Sequence, residues 1–131
     1  MYYEGEFTSA KKLNGLEIYN GVVNNFRLPG DHSEKFFGVA YTGYLKVPVD
    51  GVYNFMLTSS DGSVLYIHNK LVVDNDFFQW PSAKSGKIAL KEGLHPFKLN
   101  YFQAKYSSFL DVKVEGPEME KQKIPDNWLW H

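Results

Sequence analysis

Three carboxylates and an amide crowd into one short stretch: Asp61, then Asp74, Asn75 and Asp76. Hard oxygen ligands of this kind suit a cation such as calcium, which takes six to eight of them. What lies between them brings them together. Residues 64–67 and 71–73 are β-branched, aromatic or leucine, and His68-Asn69 separates the two runs. Asn tolerates positive φ, so a two-residue hairpin turn fits. With Ile67 opposite Lys70, the ladder sets Val64 beside Val73, Ser63 beside Asp74 and Asp61 beside Asp76. The acidic groups then gather at one hairpin end, as a cation site or as an acidic rim. Asp61, Asp74 and Asp76 are the candidate metal ligands, because carboxylates this close repel unless solvent or a cation screens them.

The loop that follows, Phe77-Phe78-Gln79-Trp80-Pro81, is the second candidate. Planar rings beside hydrogen-bonding groups suit stacking on the apolar face of a sugar, and an indole supplies a large rigid area at small entropic cost. The competing reading turns these rings inward to cap the end of the fold, since large aromatics more often fill cores. The candidate carbohydrate-binding residues are Asp61, Tyr66, Asp76, Phe78 and Trp80. Catalytic signals are missing. There is no Gly-x-Ser-x-Gly elbow, no cysteine and no phosphate-cradling glycine loop. His32, His68, His95 and His131 lack metal-pair spacing, and His95 belongs to the strand-entry motif Gly93-Leu94-His95-Pro96.

These residues need a rigid frame, and strand signals supply it. Tyr53, Phe55 and Leu57 share one face at period two, as do Leu45 with Val47, Phe97 with Leu99 and Tyr101, and Leu110 with Val112 and Val114. Ile88 and Leu90 mark a short strand after Ser85-Gly86. Turn signals separate them: Pro48-Val49-Asp50-Gly51, Ser60-Asp61-Gly62, Lys91-Glu92-Gly93 and Glu115-Gly116-Pro117. No helical stripe of ten residues interrupts the pattern. The expected fold is all-β, an antiparallel β-sandwich or open barrel. Residues 17–26 carry no clear period. Residues 122–131 read as a tail that docks through Ile124, Trp128, Leu129 and Trp130.

The 131 residues make one domain, with 44% hydrophobic and 17% aromatic residues, enough for a packed core. A net charge of −1 with dispersed Lys and Arg draws the chain to neither nucleic acid nor an anionic membrane. No apolar run approaches the roughly 20 residues of a bilayer span. The start, Met1-Tyr2-Tyr3-Glu4-Gly5, is no signal peptide, so the domain at 1–131 is expected to be one piece of a larger protein.

Six ordered segments resemble a known family: Gly43-Tyr44-Leu45-Lys46-Val47-Pro48, Asp50-Gly51-Val52-Tyr53-Asn54-Phe55, Ser59-Ser60-Asp61-Gly62-Ser63-Val64-Leu65-Tyr66-Ile67, Lys70-Leu71-Val72-Val73-Asp74-Asn75, Leu90-Lys91-Glu92-Gly93-Leu94-His95-Pro96 and Tyr101-Phe102. In this order they look like the protective-antigen (PA-14) domain, with the likeness running from about Tyr3 to Leu129. The resemblance implies a β-sandwich module of the type found in glycosidases, proteases, toxins and adhesins, often binding carbohydrate. Tyr3-Glu4-Gly5-Glu6-Phe7, Gly116-Pro117 and Lys123-Ile124-Pro125 are similar to copies appended to secreted bacterial glycoside hydrolases, including β-N-acetylhexosaminidases.

The sugar-binding branch of that family holds calcium with two adjacent aspartates where this chain has Ser60-Asp61. Asp61 matches the second and Ser60 replaces the first, removing a negative charge. The later loop, Gln103-Ala104-Lys105-Tyr106-Ser107-Ser108, lacks the family's Asn or Asp, and Lys105 opposes a cation. A required cofactor is therefore not expected, and calcium stays open. The leading expectation is a non-catalytic carbohydrate-binding or substrate-positioning module of an extracytoplasmic bacterial glycoside hydrolase. The alternative is a structural module that packs on the parent catalytic domain without binding sugar.

Overall fold

The period-two alternation becomes strand throughout the computed structural model, which describes residues 2–4, 16–19, 37–60, 62–75, 82–103, 109–117 and 119–130. In chain order these form β1 (Tyr2–Glu4), β2 (Leu16–Tyr19), β3 (Phe37–Val47), β4 (Gly51–Ser60), β5 (Gly62–Ile67), β6 (Lys70–Asn75), β7 (Ser82–Leu90), β8 (Gly93–Gln103), β9 (Phe109–Gly116), β10 (Met119–Lys123) and β11 (Leu129–Trp130). A single 3₁₀ turn at Asp126–Trp128 precedes β11. One sheet runs β2-β1-β3-β8-β5-β6, with β11 also paired to β3; the other runs β10-β9-β4-β7. Every pairing among the described residues is antiparallel, as expected for an all-β sandwich.

The two inner faces meet in one core. Tyr53, Phe55 and Leu57 of β4 and Val112 and Val114 of β9 face Leu45, Val47, Leu65, Ile67, Leu99 and Tyr101. Burying each large side chain is worth about 1.5–3 kcal/mol before chain entropy is subtracted. Tyr53 keeps its hydroxyl satisfied by donating to the Val49 carbonyl at 2.6 Å, across the turn between β3 and β4. Ile124 and Trp128 are buried as expected of the tail, with Leu129 packed beside them. Trp130 departs from that expectation: it is 49% exposed, because in β11 it alternates to the face opposite Leu129.

His68 and Asn69 make the expected turn, with φ of 53° and 63°. The ladder behind it differs from the simple count. Ile67 pairs with Lys70 and Tyr66 with Leu71, but then Leu65 pairs with Val73, Val64 with Asp74 and Ser63 with Asn75. Val72 is the extra residue of a β-bulge, so every later pairing moves by one. A regular ladder would have turned Asp74 inward, against Ser63, at a cost of several kcal/mol for an unpaired carboxylate. The bulge sends Asp74 out and Asn75 in.

Ser85-Gly86 does not precede a strand but lies inside β7, which starts at Ser82. Glycine serves close approach there: a Cβ on Gly86 would overlap the Val72 carbonyl oxygen, at the bulge. Ser60 of the Ser60-Asp61-Gly62 turn signal is strand, since β4 runs through it, and residues 16–19 form β2. Asn100, which alternates with Leu99 and Tyr101 on β8, is only 2% exposed, and its Oδ1 has no hydrogen-bond partner among the described residues. Gly86→Ala should push β7 from the bulge and lose roughly 1–3 kcal/mol, by analogy with overpacked cores. Urea denaturation of the two proteins measures this, and an unchanged midpoint would contradict the close approach.

Candidate functional site

β4 ends at Ser60 in one sheet and β5 begins at Gly62 in the other, so the chain changes sheets across a single residue, Asp61. Side chains at Ser59 and Ser63 therefore face each other across the sandwich. Both are fully buried, and their hydroxyl oxygens lie 2.7 Å apart. Asn75, 1% exposed, closes the group from β6: its Nδ2 donates to the Leu57 carbonyl and to Ser59 Oγ, each at 3.3 Å. Three neutral polar groups thus seal the end of an apolar core and bind one another, as burial requires. The same staple ties β6 to β4, joining the two sheets.

The strand pairings fix what surrounds this crossing. Ser59 pairs with Ser82 and Leu110, Ser60 with Phe109, Gly62 with Phe102, and Ser63 with Asn75 and Tyr101. Segments 76–81 and 104–108 therefore leave from, and return to, the same end as residue 61. Gathering three connections over one rim is the usual way a β-sandwich builds a binding site.

Of the residues nominated from sequence, Asp61, Asp76, Phe78 and Trp80 lie outside the described residues, as does Phe77. Asp74 is described, exposed and paired with Val64. Tyr66 pairs with Leu71 and Lys98 on that same outer face. It stands four residues along β5 from Gly62, about 13 Å at the usual strand rise. Tyr66 thus belongs to the sheet face rather than to the rim. Among the described residues, no three His, Asp or Glu side chains converge as a metal site. His68 and His95 instead meet each other, Nε2 to Nδ1 at 2.7 Å, while His95 Nε2 donates to the Lys91 carbonyl at 2.6 Å. That contact pins the hairpin turn to the start of β8.

Ser59, Ser63 and Asn75 were not singled out by sequence. A signal was present for one of them: the inward series Tyr53, Phe55, Leu57 continues at period two to Ser59. For Asn75 the bulge erased the signal.

A family model described as "PA14 domain" matches residues 28–128. This chain belongs to the PA14 domain family. No curated protein matches it in sequence. Among solved structures, this PA14 domain is similar to an anti-sigma factor domain-containing protein from Clostridium clariflavum, with 24% identity and a TM-score of 0.71 over 82% of the chain. It is also similar to a PA14 sugar-binding domain from an RTX adhesin, with 18% identity and a TM-score of 0.67 over 74% of the chain. A third likeness is to a GH31 α-xylosidase from Xanthomonas citri, with 27% identity and a TM-score of 0.51 over 63% of the chain. The chain spans 36%, 55% and 9% of these proteins respectively.

Removing the amide tests the staple. Asn75→Ala should lose roughly 1–3 kcal/mol, because Ser59 Oγ and the Leu57 carbonyl then lose a buried donor. Chemical denaturation reads the loss. A variant as stable as the parent would show that the sheet crossing does not need this bond.

Proposed function

We propose that this PA14 domain is a non-catalytic carbohydrate-binding module whose ligand sits on the rim above the sheet crossing. The observation that carries the reading is the buried Ser59, Ser63 and Asn75 group. It holds the strand ends on either side of residue 61 and segment 76–81 within one rigid frame. Rigid placement of loop ends reduces the ordering cost of binding. Asp61 and Asp76 are assigned hydrogen bonds to sugar hydroxyls, and Phe78 and Trp80 the stacking face. The sugar-binding adhesin domain among the structural relatives supports the ligand class. Asp74 and Tyr66 lie on the neighbouring outer face.

The α-xylosidase likeness, in which the matched region spans 9% of a much longer chain, supports an accessory place beside a glycoside hydrolase. The parent enzyme, a β-N-acetylhexosaminidase among the candidates, and an extracytoplasmic location are part of the same proposal. No helix among the described residues is long and apolar enough to cross a membrane. The second reading, a module that packs on its parent catalytic domain, draws on the run of rings at Phe77, Phe78 and Trp80.

Isothermal titration against a panel of neutral and N-acetylated oligosaccharides, with and without calcium, separates the two readings. Binding should appear for at least one sugar and fall about tenfold in Trp80→Ala, the worth of one stacked ring. Flat titrations, together with tight docking to a parent catalytic domain, would favour the packing module.

Calcium is assigned a minor role, because Ser60 withdraws one of the two adjacent carboxylates that the sugar-binding branch uses. Chelation should move the melting temperature by no more than about 2 °C, since an ion that binds the native state weakly adds little to its stability. A differential scan with and without EDTA measures it. A drop of many degrees would restore Asp61, Asp74 and Asp76 as a metal site.

A further inference from the structure

The face of the larger sheet that points away from the core carries exposed rings in register. Trp130 of β11 is the direct partner of Tyr44 of β3, and Tyr44 is the partner of Pro96 of β8. Directly paired residues project to the same side. Trp130 and Tyr44 are 49% and 46% exposed. One row further along β3 and β8, Lys46 pairs with Leu94, which is 55% exposed. On the other side, Thr42, Lys98, Tyr66 and Leu71 form a row across β3, β8, β5 and β6. From β11 to β6 this band crosses five strands, about 19 Å at the usual ~4.8 Å strand spacing.

Two properties distinguish this band from scattered surface apolar residues. The first is contrast: in register on β4, β7 and β9, the other sheet's outer face carries Val52 with Ala89, then Asn54, Lys87 and Glu115, then Met56, Ser85 and Lys113, with no aromatic ring in these three rows. The second is how the rings are held. Trp130 Nε1 donates to the Asn127 carbonyl at 3.1 Å, and the Lys46 ammonium lies 5.4 Å from the indole centroid. The tail is seated by a close approach at Gly43, where a Cβ would collide with the Trp130 carbonyl oxygen. Such a ring is already fixed before any ligand arrives, which lowers the entropy lost on binding.

The charge of the band selects the occupant. Its charged side chains are Lys46 and Lys98, and no carboxylate stands in these three rows among the described residues. Asp74 lies one row beyond Tyr66, beside Val64. The β7–β8 turn past Leu94 holds Lys91 and Glu92, with the Glu92 amide bound to Asp50 Oδ1 at 2.7 Å. Rings flanked by ammonium groups match a sugar chain that offers a C–H face for stacking and a carboxylate for pairing.

We propose that the Trp130, Tyr44 and Tyr66 band, with Lys46 and Lys98, is a second binding surface, for a linear acidic polysaccharide built of uronate units. It stands apart from the rim, and its failure would leave the rim reading intact. Sugar rings stack along Trp130 and Tyr44, and their carboxylates meet Lys46 and Lys98 along the band.

Affinity electrophoresis of the full chain in gels containing sodium polygalacturonate tests this, with the methyl-esterified polymer as the uncharged counterpart. Retardation should be strong in the acidic gel, weak in the esterified one and reduced by added salt. Tyr44→Ala and Lys98→Gln should each weaken retardation about three- to tenfold. Trp130→Ala should do so as well, and because it touches the tail its melting curve is recorded alongside. Asp61→Asn and Trp80→Ala, which report on the rim, should leave it unchanged. The proposal fails if the parent protein is not retarded, if Tyr44→Ala and Lys98→Gln run as the parent does, or if both polymers retard equally. It also fails if sedimentation shows a dimer that Tyr44→Ala dissolves, since the band is then a contact between copies.

Discussion

The fold depends on one covalent constraint: the chain passes from the four-stranded sheet to the larger one across a single residue. With Ser60 and Gly62 in different sheets, β4 and β5 cannot slide independently, and their last inward side chains must share one interior position. A pair of large apolar groups would not fit there, and one unpaired polar group would be costly to bury. Two serine hydroxyls 2.7 Å apart, with an asparagine amide above them, meet both conditions. The sandwich is therefore closed at this end by hydrogen bonding, while its middle is held by apolar burial.

The bulge at Val72 follows from the same constraint. β6 must deliver a neutral donor to the crossing and keep its acidic residue in water, yet a regular strand from the His68-Asn69 turn would do the reverse. One extra residue changes the parity of the strand, and the displaced Val72 carbonyl is accommodated by the bare backbone of Gly86 in the facing sheet. Turn, bulge, glycine and amide form one linked device. Each feature has a physical reason only in the presence of the others.

Fold class was legible because it rests on alternation, and alternation is local. Tyr53, Phe55 and Leu57 or Leu110, Val112 and Val114 announce a half-buried strand without reference to any partner. The hairpin turn was legible for the same reason, through the backbone tolerance of asparagine. Register was not: the bulge is invisible until Gly86 is seen to face it, since no residue type encodes it. Trp130 was misplaced because a large ring near a chain end reads as a docking group, whereas its neighbour Leu129 fills that position and alternation turns Trp130 outward. Of the nominated site residues, Tyr66 lies in the strand read from sequence, but its distance from the crossing along β5 was not legible there.

The two proposed surfaces, rim and face, differ in how the fold holds their side chains. At the crossing, the Ser59, Ser63 and Asn75 group satisfies its buried polar atoms through bonds that run between the strands. On the sheet face, each side chain is fixed by its strand partner and alternates with a core residue on the same strand. A ligand read by the rim is met by adaptable hydrogen bonding, and one read by the face by rings at a repeat set by strand spacing. Short oligosaccharide ends suit the first and extended chains the second. Ser60 is uncharged beside the crossing, while Lys46 and Lys98 place positive charge on the face. The charge of the ligand is what tells the two proposed surfaces apart.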